Sequence, residues 1–211
     1  MRRAQPTIEQ LEPRMLPTLV FVFNGNAFAA AKADNPLTET AAQQLIANGD
    51  RAVQMNTPAM NSPAAFYGLA RDIRTVSKGQ PIGLLGFSAG GSLALRLSGL
   101  PGLNVRAALS YYGPPDLRDW LQYHKGDRDY LGVTTHVQLD QGIITLLSGP
   151  SDTAAYVIDA FGLRDPVVVA SNSTASFHGD FPDGRVFYYP GTHGVGTGAD
   201  PAAFKDLLAH L

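Results

Sequence analysis

Short runs of β-branched and apolar residues alternate along this chain with longer stretches in which apolar positions recur every three or four residues, with Gly, Pro, Asn and Asp between them. Strands of a parallel sheet, buried on both faces, read as such short runs, and the helices that cross between them read as amphipathic patterns. The pattern predicts strands at Thr18 to Phe23, Arg51 to Met55, Ile82 to Phe87, Val105 to Tyr111, Pro166 to Ala170 and Arg185 to Tyr189. It predicts helices at Leu37 to Ala47, Pro63 to Ser77, Ala89 to Leu97, Leu117 to Tyr123, Asp152 to Phe161 and Pro201 to Leu211. Asp152 behind Ser151, and Pro201 behind Asp200, are favourable arrangements for the unpaired amides that open a helix. The expected fold class is α/β, a mostly parallel six-stranded sheet flanked by helices.

The chain then divides into a polar, Pro-punctuated arm over 1–16 and one domain over 17–211, in which 116–161 forms a helical insertion or small cap. Lys125-Gly126-Asp127-Arg128-Asp129 within it reads as a solvated loop. The apolar run from Leu16 to Phe23, preceded by Met1-Arg2-Arg3 and followed by Ala30-Ala31-Lys32-Ala33, also has the outline of a signal peptide. Asn24-Gly25-Asn26 interrupts that outline and suits the exit of a buried strand instead. No apolar run approaches the roughly 20 residues a membrane helix needs.

Composition narrows the chemistry. Of 211 residues, 45% are hydrophobic and 16% charged, with 16 Lys and Arg against 18 Asp and Glu. The net charge of -2 offers no basic field for nucleic acid or for an anionic membrane. There is no cysteine, which removes disulfides, thiolate nucleophiles and Cys-ligated metal sites, so a nucleophile here is an oxygen or an amine. Neither a metal nor an organic cofactor is implied.

One motif carries chemistry. Pro81-Ile82-Gly83-Leu84-Leu85-Gly86-Phe87-Ser88-Ala89-Gly90-Gly91 is an apolar strand that runs through Gly-x-Ser-x-Gly into a helical pattern. A strand-to-helix turn of this kind exposes the serine hydroxyl at the carboxyl end of the sheet, beside the unpaired amides of a helix N-terminus. No Gly-Lys-Ser/Thr follows, which disfavours a phosphate loop.

With Ala107-Ala108-Leu109-Ser110-Tyr111-Tyr112-Gly113 about twenty residues further on, this stretch resembles the α/β-hydrolase superfamily, and in it the dienelactone-hydrolase-like and carboxylesterase branch. The resemblance covers Leu19 to Leu211 and leaves the family's first two strands without counterpart, a small, trimmed version of the fold. Dienelactone hydrolases carry cysteine as nucleophile, and Ser88 in its place points to ester hydrolysis in the broad sense. Separately, Leu11-Glu12-Pro13-Arg14-Met15-Leu16 resembles the LEPR-XLL motif of planctomycete proteins, with Pro17 replacing the next leucine. That resemblance hints at export, and the compartment stays open between cytoplasm and export.

A serine hydroxyl needs a base, and histidine is the side chain suited to the task near neutrality. Among five histidines, His193 lies in Tyr189-Pro190-Gly191-Thr192-His193-Gly194, after the last strand, and the resemblance implies the catalytic base there. His178 is an alternative; His124, His136 and His210 read as surface residues. The resemblance also implies an oxyanion hole from the backbone amides of Ala89 and Asn26, with Asn24 where the family carries histidine. For the acid the family uses a carboxylate after the penultimate strand, in a Gly-x-x-Asp setting, but Val167 to Ser176 contains none. Asp180 is the first to follow and is the expected acid, with Asp116, Asp183 and the neutral Asn172 as alternatives.

The expected function is hydrolysis of carboxylic esters, small-molecule or polymeric, through an acyl-enzyme intermediate, with Trp120, Tyr123 and Tyr130 as pocket or core residues. Acyl transfer or thioester hydrolysis would use the same residues. A hydrolase fold that binds a ligand or partner without turning it over is the alternative from another class, motivated by the missing acid.

Overall fold

The computed structural model describes residues 17–123 and 139–211. The arm at 1–16, with its LEPR-like segment, and His124, His136, Tyr130 and the Lys125–Asp129 cluster all lie outside the described residues.

Among the described residues, six strands form a single parallel sheet: β1 (Leu19–Phe23), β2 (Arg51–Met55), β3 (Ile82–Phe87), β4 (Val105–Tyr111), β5 (Tyr156–Gly162) and β6 (Arg185–Tyr189), in the order β2-β1-β3-β4-β5-β6. The described helices are α1 (Pro36–Ala47), α2 (Pro63–Ser77), α3 (Ala89–Ser98), α4 (Leu117–Tyr123), α5 (Gln141–Leu146), α6 (Ala170–Asp180) and α7 (Pro201–Ala209). None of them is long and apolar enough to cross a membrane.

Side chains alternate across the sheet, so each strand serves two cores. Phe21 and Phe23 of β1, Leu84 of β3 and Phe161 of β5 pack with α2, α3 and α6 on one face. Val20 and Val22, Leu85 and Phe87, and Ile158 and Ala160 pack with α1 and α7 on the other. Helix starts follow the local chemistry. Asn35 accepts from Leu37 N–H ahead of α1, Asp140 from Gly142 N–H ahead of α5, and Asp200 from Ala202 and Ala203 N–H ahead of α7.

In two places the expected elements are corrected. Asp152 to Phe161 is not a helix: from Tyr156 onward it is β5. Its alanines and Asp152 imitate a capped helix, yet Val157 and Phe161 face one core while Ile158 and Ala160 face the other. Apolar residues on both faces of a doubly buried strand erase the period-two signal. Pro166 to Ala170, read as a strand, is instead the turn into α6. Asp165 gathers the amides of Val167 and Val168 there, and the β-branched run never reaches the sheet.

Candidate active site

The site is built where β3 turns into α3. Ser88 sits between them at φ 53° and ψ -126°, a backbone conformation that a non-glycine residue holds only under strain. The turn closes because Gly86 lacks a side chain: a Cβ there would lie 2.0 Å from the carbonyl oxygen of Gly90. Ser88 N–H donates to Tyr111 O at 2.9 Å, and Ser88 O accepts from Gly91 N–H at 2.8 Å, which fixes the turn to β4 and to the first turn of α3.

Ser88 Oγ lies 2.9 Å from Nε2 of His193, and Nδ1 of His193 lies 2.9 Å from Oδ2 of Asp165. A carboxylate accepts, so Nδ1–H donates to Asp165 and Nε2 is left to accept the Ser88 hydroxyl. Asp165 is fully buried at its side chain, and its other oxygen, Oδ1, accepts from Val167 N–H at 2.8 Å and Val168 N–H at 3.0 Å. Both oxygens are thus committed, one to a turn and one to the imidazole. His193 stays about one quarter exposed and faces a cavity of about 290 Å³ with Ser88 and Ala89.

The residue beside His193 is therefore not the expected Asp180. Asp180 ends α6 and forms a buried ion pair with Arg96 of α3, whose guanidinium also donates to the carbonyls of Pro115 and Gly149. Burial pushes the Asp180 carboxyl above its ordinary value, and Arg96 offsets this only in part. Asp116 is committed as well: its two oxygens accept from Asp119 N–H at 2.9 Å and Gly149 N–H at 2.7 Å. Asn172 and Asp183 are exposed, Asn172 on α6 and Asp183 on the loop before β6. Among the remaining histidines, His178 is exposed on α6, edge-on to Phe177, and His210 stacks on Tyr156 with ring centroids 3.5 Å apart.

The signal for Asp165 was in the sequence. Gly162-Leu163-Arg164-Asp165 is the Gly-x-x-Asp setting sought, directly after β5. Its place after the penultimate strand is masked because β5 carries the sequence pattern of a helix.

Asn26 lies with Asn24 in the wall of the cavity, on the loop after β1. That loop approaches the nucleophile turn so closely that a Cβ on Gly25 would lie 2.5 Å from Cβ of Ser88. Ala27 and Phe28, next along, both have positive φ, 46° and 63°. Among the described residues, the N–H groups of Asn26 and Ala89 take no part in the loop and cap hydrogen bonds. Trp120 also lines the cavity and donates from Nε1 to Val167 O at 2.8 Å, whereas Tyr123 borders a separate depression between α4 and α6.

No family model and no curated protein matches this chain. Among solved structures it is similar to an acetyl ester-xyloside bifunctional hydrolase from Caldicellulosiruptor lactoaceticus, at 20% identity and a TM-score of 0.67, over 94% of this chain and 82% of that one. It is similar to the carboxylesterase Cest-2923 from Lactobacillus plantarum, at 19% identity and a TM-score of 0.62, over 89% and 76% of the two chains. A third likeness is to MGS-MChE2, an alpha/beta hydrolase enzyme from the metagenome of lagoon sediments at Mar Chica, Morocco, at 16% identity and a TM-score of 0.61, over 92% and 89%. Identities this low speak for architecture alone, and with the parallel sheet order and its strand-to-helix turn they establish that the chain has the α/β-hydrolase fold.

Proposed function

We propose that this protein is a serine hydrolase that cleaves carboxylic esters through an acyl-enzyme intermediate. The observation that carries the reading is the unbroken hydrogen-bonded series from Ser88 through His193 to the buried Asp165, with Ser88 held in the strained turn between strand and helix. His193 Nε2 takes the Ser88 proton as Oγ attacks the ester carbonyl, and Asp165 holds the tautomer and stabilises the imidazolium that forms. The backbone N–H groups of Ala89 and Asn26 face the developing oxyanion. His193 returns its proton to the leaving alcohol, then activates a water that releases the acid and restores Ser88.

Asp165 takes the role first expected of Asp180, and a buried carboxylate beside His193 supports the catalytic reading over a fold that only binds. The branch that the Ser88 strand resembles, dienelactone-hydrolase-like proteins and carboxylesterases, fits this chemistry, and the names of two structural neighbours refer to esters. Small-molecule and polymeric esters both suit it, and acyl transfer would differ only in the acceptor that replaces water. The test is turnover of p-nitrophenyl acetate and butyrate by the wild type and by Ser88→Ala. The reading requires a burst of about one p-nitrophenol per chain or steady turnover that Ser88→Ala abolishes; equal rates from both proteins contradict it.

A further inference from the structure

Tyr112 follows β4 directly and is 1% exposed, yet its φ is +44°. A bulky L-residue in the left-handed region is strained, and such strain persists where the surroundings hold it in place. Gly113, which would carry a positive φ without penalty, is the very next residue. What the strained tyrosine delivers is contact with the segment that bears His193. Its N–H donates to Ala160 O at 2.8 Å, anchoring it to β5, the strand that leads to Asp165. Its ring lies 4.6 Å from the imidazole of His193, centroid to centroid, tilted by 59°. Its hydroxyl donates to Val195 O at 2.8 Å, two residues beyond that histidine.

The His193 segment needs such a support. It runs through Gly191, His193 and Gly194, and Gly194 has φ +82°, so its own backbone does little to restrict where the imidazole points. Asp165 restrains one ring nitrogen but leaves the tilt of the ring and the course of the chain after it free. We propose that Tyr112 is a positioning residue for His193: its ring sets the imidazole plane and its hydroxyl pins the chain at Val195, so that Nε2 stays directed at Ser88. The inference rests on the serine-hydrolase reading of Ser88 and His193. Burial, reinforced by the charge of Asp165, pushes the Tyr112 hydroxyl far above its ordinary value, so it stays a neutral donor and moves no proton of its own.

The test is Tyr112→Phe, which keeps the ring and removes the hydrogen bond to Val195. On a p-nitrophenyl ester, kcat should fall about tenfold or more with KM within about twofold, because a misdirected base weakens the transition state and not substrate binding. In a His193→Ala background the same substitution should change the residual rate by less than about twofold, since a residue that acts through His193 has nothing left to act on. The low-field proton of the His193–Asp165 hydrogen bond, read by NMR, should broaden or shift in Tyr112→Phe. Rates are read at a temperature where circular dichroism shows both proteins folded. Full kcat in Tyr112→Phe, or an equal loss in both backgrounds, overturns the proposal. If His193→Ala itself is harmless, the hydrolase reading falls and this one with it; if only Tyr112→Phe is harmless, this one falls alone.

Discussion

His193 Nδ1 lies 2.9 Å from Oδ2 of Asp165, a carboxylate whose other oxygen is already taken by two backbone amides of the turn that follows. The turn therefore orients the acid before the histidine meets it. Asp165→Asn should cost about a hundred- to ten-thousandfold in kcat, because an amide in that place favours the wrong imidazole tautomer. Steady-state kinetics on a p-nitrophenyl ester checks this, and a loss below tenfold would remove Asp165 from the mechanism.

Asp180 should behave in the opposite manner. Asp180→Asn leaves Arg96 buried without its charge partner, which typically costs about 3 kcal/mol of unfolding free energy. Urea unfolding should register that loss, while kcat per folded molecule should stay within a few-fold of wild type. A catalytic collapse without loss of stability would restore Asp180 to the site.

Asp159, on β5 opposite Ser110, is fully buried, and among the described residues neither of its carboxylate oxygens has a hydrogen-bond partner. Burial pushes its carboxyl well above the ordinary range. The folded state thus keeps this proton at pH values where the unfolded chain has lost it. Stability from the group is fully present below the unfolded carboxylate pKa of about 4 and declines as pH rises above it. Asp159→Asn has no such proton to lose. Its stability relative to wild type should climb over the pH interval that opens at about 4, by up to about 1.4 kcal/mol per pH unit. Urea midpoints measured across that interval test the slope, and parallel profiles would show that Asp159 has an ordinary pKa.

Gly25 tests the close approach of the β1 loop to the nucleophile. A methyl group there would lie 2.5 Å from Cβ of Ser88 and 2.6 Å from Phe87 O, so Gly25→Ala must push the loop away from the turn. Activity should fall at least about a hundredfold, the scale of losing one oxyanion donor, with the fold retained by circular dichroism. Near-normal kcat would show that this loop contributes no donor.

Most of the sheet was legible because its strands leave plain marks: β2, β3, β4 and β6 begin and end where the apolar runs do. Ser88 and His193 were legible because glycines bracket both, and a glycine-bracketed polar residue at a strand exit has few structural uses. Asp165 was missed for a reason local to β5. Tyr156-Val157-Ile158-Asp159-Ala160-Phe161 carries apolar side chains on both faces and a buried carboxyl in the middle, and so shows neither the alternation of a strand nor the polar face of a surface helix. The β-branched Val167-Val168-Val169 run then imitates a strand about ten residues downstream, so Asp165 stands before the apparent strand and not after it. Tyr112 had no sequence signal at all, since its role depends on a backbone angle and on a loop more than eighty residues away.

The central claim is that Ser88 is a nucleophile activated by His193. Intact-mass spectrometry after exposure to a fluorophosphonate reads this directly. Wild type should gain one phosphonyl adduct, mapped to Ser88 by peptide fragmentation, with labelling slowed at least about a thousandfold in His193→Ala and absent in Ser88→Ala. An adduct that persists in Ser88→Ala, or a wild type that takes up no label at all, would contradict the account.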